Sequence, residues 1–229
     1  MQQTLIPKSS FDFLKLLKKN NNRDWFNDNK DLYLKELTNL ERFAEVLLTD
    51  LNKHDVIETP SGKKSLHRIY RDIRFSKEKT PYKVNWSGSF RRATKQRRGG
   101  YYFHIEPGNS FIAGGFWGPN PEDLKRIRQD IASNPDELKK ILKSKKFVTT
   151  FGKLHGEQVK TTPKGFDSNH EAIDLIRFKQ FLAIRHFTDA EVLDKNFTKE
   201  VSKTFLNLRP FFDYMSDVLT SDSNGISII

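Results

Sequence analysis

Along this chain apolar positions recur every three to four residues, then every second residue, then every three to four again. Behind Ser10, a candidate N-cap, Phe11, Phe13, Leu14 and Leu17 mark one face of a short helix. Asn20, Asn21 and Asn22 end it, because their amides compete for backbone hydrogen bonds. From about Asp24 to Leu51 a longer stripe (Trp25, Leu37, Leu40, Phe43, Leu47, Leu51) faces Lys, Glu and Asp, which predicts a second helix. Residues 1–52 therefore read as a helical hairpin that covers one side of a sheet, and 52–62 as a loop.

From Ser65 the period becomes two. In Arg68–Ser76, Ile69, Arg71, Ile73 and Phe75 fall on one face, and Arg68, Tyr70, Asp72, Arg74 and Ser76 on the other. Pro81 interrupts the ladder, and alternation resumes in Val84–Arg92. Tyr101–Glu106 and Phe111–Trp117 flank Pro107-Gly108, the turn pair of an antiparallel hairpin. Four consecutive strands with short connections predict a meander over about 66–117. Gly114 and Gly115 read as a bulge or a tight packing site.

Helical period returns at Asn120, which offers an N-cap ahead of Pro121, Glu122 and Asp123. Asn134-Pro135 repeats the device. Residues 147–169 read as an irregular connection with room for a short extended piece, Glu171–Phe178 as a helix and Phe181–Phe187 as a fifth, buried strand. Thr188 and Glu191 form a capping box, Thr198 caps a C-terminal helix divided near Pro210, and 221–229 reads as a frayed tail. The expected fold is a single α+β domain: a mostly antiparallel sheet of four to five strands between N-terminal and C-terminal helices. Its parts are the hairpin, a basic meander at 63–118, and a mainly helical 121–218 containing the strand at 181–187.

Charge sharpens this picture. Residues 63–98 hold thirteen Lys or Arg against Asp72 and Glu78, a local excess of +11 that equals the net charge of all 229 residues. A field so localised predicts an anionic partner. The chain has no Cys, which excludes disulfides, thiol nucleophiles and Cys-ligated metals, and is consistent with a reducing cytoplasm. Neither a signal-peptide core nor an apolar run of membrane-spanning length is apparent, so a cytoplasmic protein without membrane association is expected.

Within this stretch the block RIYRDIRFSKEKTPYK (Arg68–Lys83) resembles a family of bacterial conserved hypothetical proteins, domain-of-unknown-function family 2461. NNRDWF (Asn21–Phe26), GGYYFHIEPG (Gly99–Gly108), FWGP with PEDLKRIR (Phe116–Arg128) and PKGFDSNH with IRFKQF (Pro163–Phe181) extend the resemblance over most of the chain. Glu171 stands where similar proteins are expected to carry Pro. The resemblance implies a bacterial, cytoplasmic α+β protein and supplies no catalytic residues.

Candidate chemistry therefore rests on the residues themselves. Arg71, between Ile69 and Ile73, either meets a carboxylate, with Glu106 the first partner to consider, or lines a pocket open to water. Arg68, Tyr70, Arg71, Arg74, Lys77, Lys79 and Lys83 are the candidate anion contacts, suited to phosphate or carboxylate. Arg91, Arg92, Lys95, Arg97 and Arg98 read as a basic loop that touches nucleic-acid phosphates. Trp86, Tyr101, Tyr102 and Phe103 offer either stacking surfaces or sheet core. His104 and Glu106 share a strand face and form the candidate acid–base pair. No metal-ligand spacing and no cofactor motif stands out. The leading expectation is a module that binds nucleic-acid phosphates. The alternatives are an enzyme that clamps a small phosphorylated or carboxylated substrate, or a domain that docks an acidic protein. Salt-sensitive, sequence-tolerant binding distinguishes the first, and arginines set in a concavity the second.

Overall fold

The computed structural model describes residues 6–93, 95–222 and 226–229. In chain order it contains α1 (Lys8–Lys19), α2 (Arg23–Asp28), α3 (Lys30–Leu51), α4 (Gly62–Ser65), β1 (Trp86–Arg91), β2 (Gly100–Ile105) and β3 (Ser110–Phe116). There follow α5 (Pro121–Ser133), α6 (Pro135–Lys143), α7 (Lys145–Phe151), β4 (Leu154–His155), α8 (Ile173–Ile176), β5 (Phe181–Phe187), α9 (Asp189–Leu193), α10 (Phe197–Asn207) and α11 (Arg209–Thr220). The strands form an antiparallel sheet in the order β1-β2-β3-β5-β4. The α+β class, the hairpin about Pro107-Gly108 and the strand at Phe181–Phe187 all match the period of the sequence.

Several local expectations are corrected. Ser10 lies inside α1 rather than capping it, and its hydroxyl donates to the buried Glu36 carboxylate at 2.6 Å. The expected long helix breaks at Asn29 into α2 and α3, with Asn22 capping α2 by accepting from the Trp25 amide at 2.9 Å. Arg68–Ser76 is not a ladder strand. It meets the following segment through an isolated bridge, Tyr70 with Tyr82, and just ahead of it Leu66 bridges Gly88. Pro81 has no N–H, but the bridge does not need one: the Arg71 amide donates to Pro81 O at 2.9 Å and the Lys83 amide to Ile69 O at 2.7 Å, one bond in each direction. The start of the 147–169 connection completes α7, its short extended piece is β4, and Glu171–Phe178 contributes only the single turn α8. Thr198 sits within α10 instead of capping it. The tail folds back, with Ser221 bridged to Ser227 and the Ile228 amide donating to Thr220 O at 2.9 Å. The tail's residues 223–225 lie outside the described residues.

Two compact units divide the chain. The first comprises the chain up to Phe90 with Tyr102–Ile112 and His186–Lys203. Its core is aromatic: Phe13 stacks on Trp86 at 5.6 Å, Trp86 on Tyr33 at 5.7 Å, and Phe43 lies against Phe103 and Phe197. The second comprises Arg91–Tyr101, Ala113–Arg185 and the chain from Thr204 onward. Here Tyr101 packs edge-on to Phe205 and Phe212, and Ile127 and Ile131 of α5 are fully buried. Trp86, Tyr101 and Phe103 are thus core, and of the expected stacking aromatics only Tyr102 faces away from it.

Candidate anion site

The candidate site lies in the first unit, where the segment 68–83 meets the turn between α1 and α2. Three Asn end α1 in the sequence, and Asn21 uses its amide where a strand partner would otherwise be needed. Its Nδ2 donates to Tyr82 O at 3.0 Å, and its Oδ1 accepts from the Tyr82 amide at 3.1 Å. Tyr82 is thereby held flat on Phe26, ring centroids 4.0 Å apart and 17° from parallel. Tyr70 stands edge-on to the same Phe26 ring and remains more than half exposed.

Arg71 projects beside this aromatic floor. Its Nη1 donates to Thr80 Oγ1 at 2.7 Å and pairs with Glu78 Oε2 at 2.7 Å, while the Thr80 hydroxyl donates to Glu78 Oε1 at 2.6 Å. The carboxylate that Arg71 meets is therefore Glu78, not Glu106. The hydroxyl of Thr80 and the guanidinium of Arg71 hold the Glu78 carboxyl below its usual range. Arg71 lines two adjoining cavities. One, of about 300 Å³, is walled by Arg23, Asn27, Tyr70, Arg71, Ile73, Pro81 and Tyr82. This wall contains two guanidinium side chains and no carboxylate. The other, of about 210 Å³, adds Asn21, Glu78, Lys83 and Asn85 to Arg71 and Tyr82. Burial, with Arg68 nearby, lowers the Lys83 pKa, as expected of an ammonium drawn partly out of water beside another cation.

The remaining predicted contacts of this block distribute unevenly. Arg74 grips Asp72 through both Nε (3.0 Å) and Nη2 (2.6 Å), and the Lys79 ammonium donates to Ile73 O at 3.0 Å. Arg68 and Lys77 are exposed. Sequence reasoning missed Arg23, Asn27 and the Asn21 clamp. The signal available was the polar run Asn20–Arg23 between two apolar stripes, which periodicity reads only as a helix break.

The second predicted set, at 91–98, divides. Arg92 is 2% exposed. Its Nη1 donates to Arg98 O at 2.8 Å, Phe212 O at 3.3 Å and Ser216 Oγ at 3.1 Å, and its Nη2 pairs with Asp213 at 3.0 Å. A guanidinium so enclosed cannot reach a phosphate backbone, so Arg92 is withdrawn from the nucleic-acid set. Arg98 is half-buried and paired with Asp123. Arg91 and Lys95 are exposed and Arg97 half-buried.

His104 and Glu106 do lie together, His104 Nε2 to Glu106 Oε2 being 2.9 Å. An ionised Glu106 accepts only, so Nε2 carries the proton, and the Tyr102 hydroxyl then donates to Nδ1 at 3.2 Å. Asn109 Nδ2 also donates to Glu106 Oε2 at 3.1 Å, and Phe111 stacks on the imidazole at 4.7 Å. Both ring nitrogens are engaged within the protein, which suits a structural strut on the sheet face better than a base awaiting substrate.

The model of the conserved hypothetical proteins called domain-of-unknown-function family 2461 matches residues 9–214. The chain belongs to that family. The matched span includes the Asn21 clamp, both cavities and the whole 68–98 stretch. No curated protein and no solved structure matches the chain. Among the described residues no cluster of His, Asp and Glu suited to a metal ion occurs, and no helix is long and apolar enough to cross a membrane.

Proposed function

We propose that this protein is an anion-binding module of the bacterial cytoplasm whose primary site is the cavity between Arg23 and Arg71. The observation that carries this reading is the wall itself: Arg23, Arg71, Tyr70, Tyr82 and Asn27 line an open cavity of about 300 Å³ with no carboxylate among them, Glu78, the ion-pair partner of Arg71, lining the adjoining cavity instead. A concavity of this size is at the lower end of small-ligand sites, large enough for a phosphoryl or carboxyl group with a small attachment. Guanidinium pairs favour such oxyanions because their N–H groups match the oxygen spacing. The site keeps Arg71 of the expected 68–83 set and adds Arg23 from the helix break, whereas Arg92 of the 91–98 loop is enclosed in the second unit.

The test is thermal unfolding in orthophosphate, pyrophosphate or small dicarboxylates, each compared with chloride at the same ionic strength. A specific site raises Tm beyond chloride, by mass action on the folded state. Arg23→Ala and Tyr70→Ala, both at exposed positions, should remove that increment and leave Tm in chloride unchanged. An increment no larger than chloride gives, for every anion tried, rejects the reading.

A further inference from the structure

The loop beyond the cavity exposes Phe75 almost completely, at 95% of its surface. Alternation assigns Phe75 to the apolar face with Ile69 and Ile73, yet only Ile69 is fully buried there. A single exposed ring is ordinary on a protein surface, and the meaning of this one lies in the charges and the cavity beside it. The Arg74 guanidinium stands 5.9 Å over the ring and is itself anchored by Asp72, so ring and charge are presented together. Tyr70, 55% exposed, offers a second ring on the cavity wall. Ile73 lines that wall and Phe75 follows two residues later, so no more than ~7 Å of backbone separates cavity from ring. Arg68 and Lys77 flank both and form no ion pair among the described residues.

We propose that the occupant is single-stranded nucleic acid, with one phosphate in the Arg23–Arg71 cavity and adjacent bases stacked on Tyr70 and Phe75. This rests on the anion-site reading and adds to it the class of ligand. The chemistry is that of strand binding without base readout: cations that follow the backbone, interleaved with rings that take any base face. A single strand is specified because a duplex hides those faces within its own stack. An anionic membrane would meet the same charges. However, one exposed phenyl beside a concave, guanidinium-walled cavity suits a jointed polyanion with planar groups better than a flat headgroup layer.

The experiment is fluorescence anisotropy with a labelled twelve-residue oligothymidylate, its RNA counterpart and a duplex of mixed sequence, at about 50 to 200 mM salt. We expect the single strands to bind with a steep negative salt dependence and the duplex more weakly. Phe75→Ala should weaken strand binding roughly tenfold, the scale of one lost base stack, while leaving the phosphate-induced rise in Tm intact. Arg23→Ala should reduce both. A wild-type protein stabilised by phosphate that binds no strand at the lowest salt overturns the inference and leaves the anion site standing. Loss of both signals removes both readings. Phe75→Ala binding as tightly as wild type, equal affinity for the duplex, or Phe75-dependent capture by phosphatidylserine vesicles in place of strands also overturns it.

Discussion

At the residue scale, the guanidinium groups of Arg71 and Arg92 show how little a side chain's formal charge says about its role. Arg92 sits within the second unit, satisfying two backbone carbonyls and Ser216 besides Asp213. Removing it strands buried acceptors, so Arg92→Ala should lower unfolding free energy by about 3 kcal/mol in urea titration. Lys95→Ala, three residues on at an exposed position, should stay within about 0.5 kcal/mol. Arg71 differs because its partner Glu78 is largely in water, 63% exposed. Arg71→Ala leaves no buried charge behind. Its stability loss should be far smaller than that of Arg92→Ala, while anion binding is lost. The reverse order of the two stability losses would refute this assignment. Glu36 is the opposite case, a fully buried carboxylate whose Oε2 accepts from Ser10 and Asn39 and whose Oε1 has no hydrogen-bond partner. Ser10→Ala should cost about 1–3 kcal/mol, the scale of a charge-assisted bond lost in the interior.

At the element scale, the short strands depend on close backbone approach and the helices on their caps. Gly115 in β3 adopts φ of 144°, and a Cβ there would lie 2.1 Å from Phe181 O. Gly115→Ala therefore has no relaxed conformation and must push β3 and β5 apart. The expected result is loss of a cooperative thermal transition or a Tm depressed by more than ~5 °C, the shift that about 1–2 kcal/mol produces in a domain of this size. The sequence reading of these glycines as a tight packing site was correct for this reason. The Thr188 hydroxyl accepts from the Glu191 amide at 3.3 Å, and Glu191 Oε2 accepts from the Thr188 amide at 2.7 Å, completing the predicted capping box of α9. Asn120 caps α5 with Pro121 following, also as predicted, whereas Asn134 leaves α6 without a side-chain cap. Cap residues are identifiable in sequence because their partners lie two or three positions away. Asn21 was not, because its partner Tyr82 lies 61 positions away.

For the whole molecule, His67 supplies a pH dependence of folding. Burial, aided by the Lys83 charge, lowers its pKa below the ordinary 6.5. The folded protein then binds fewer protons than the unfolded chain between that lowered value and 6.5. Stability should therefore be greatest above pH 6.5 and fall on acidification through this window. His67→Asn should flatten the slope of urea midpoint against pH between 6.5 and the lowered pKa. An unchanged slope would assign the dependence to other groups.

What the sequence by itself determined was everything governed by short range: the change of period from helix to strand and back, the turn at Pro107-Gly108, the buried strand Phe181–Phe187, the caps at Thr188 and Asn120, and the localisation of the positive charge. These follow from backbone sterics, from alternation and from neighbours within a few residues. Only the tertiary structure decided which cations are available. Lysines and arginines at 63–98 look alike in sequence. Whether one is enclosed like Arg92, paired like Arg74 or set in a cavity wall like Arg71 depends on Asp213, Asp72 and Arg23, and two of those three lie far away along the chain. Desolvation and ion pairing are set by what surrounds a group in space, which periodicity does not encode.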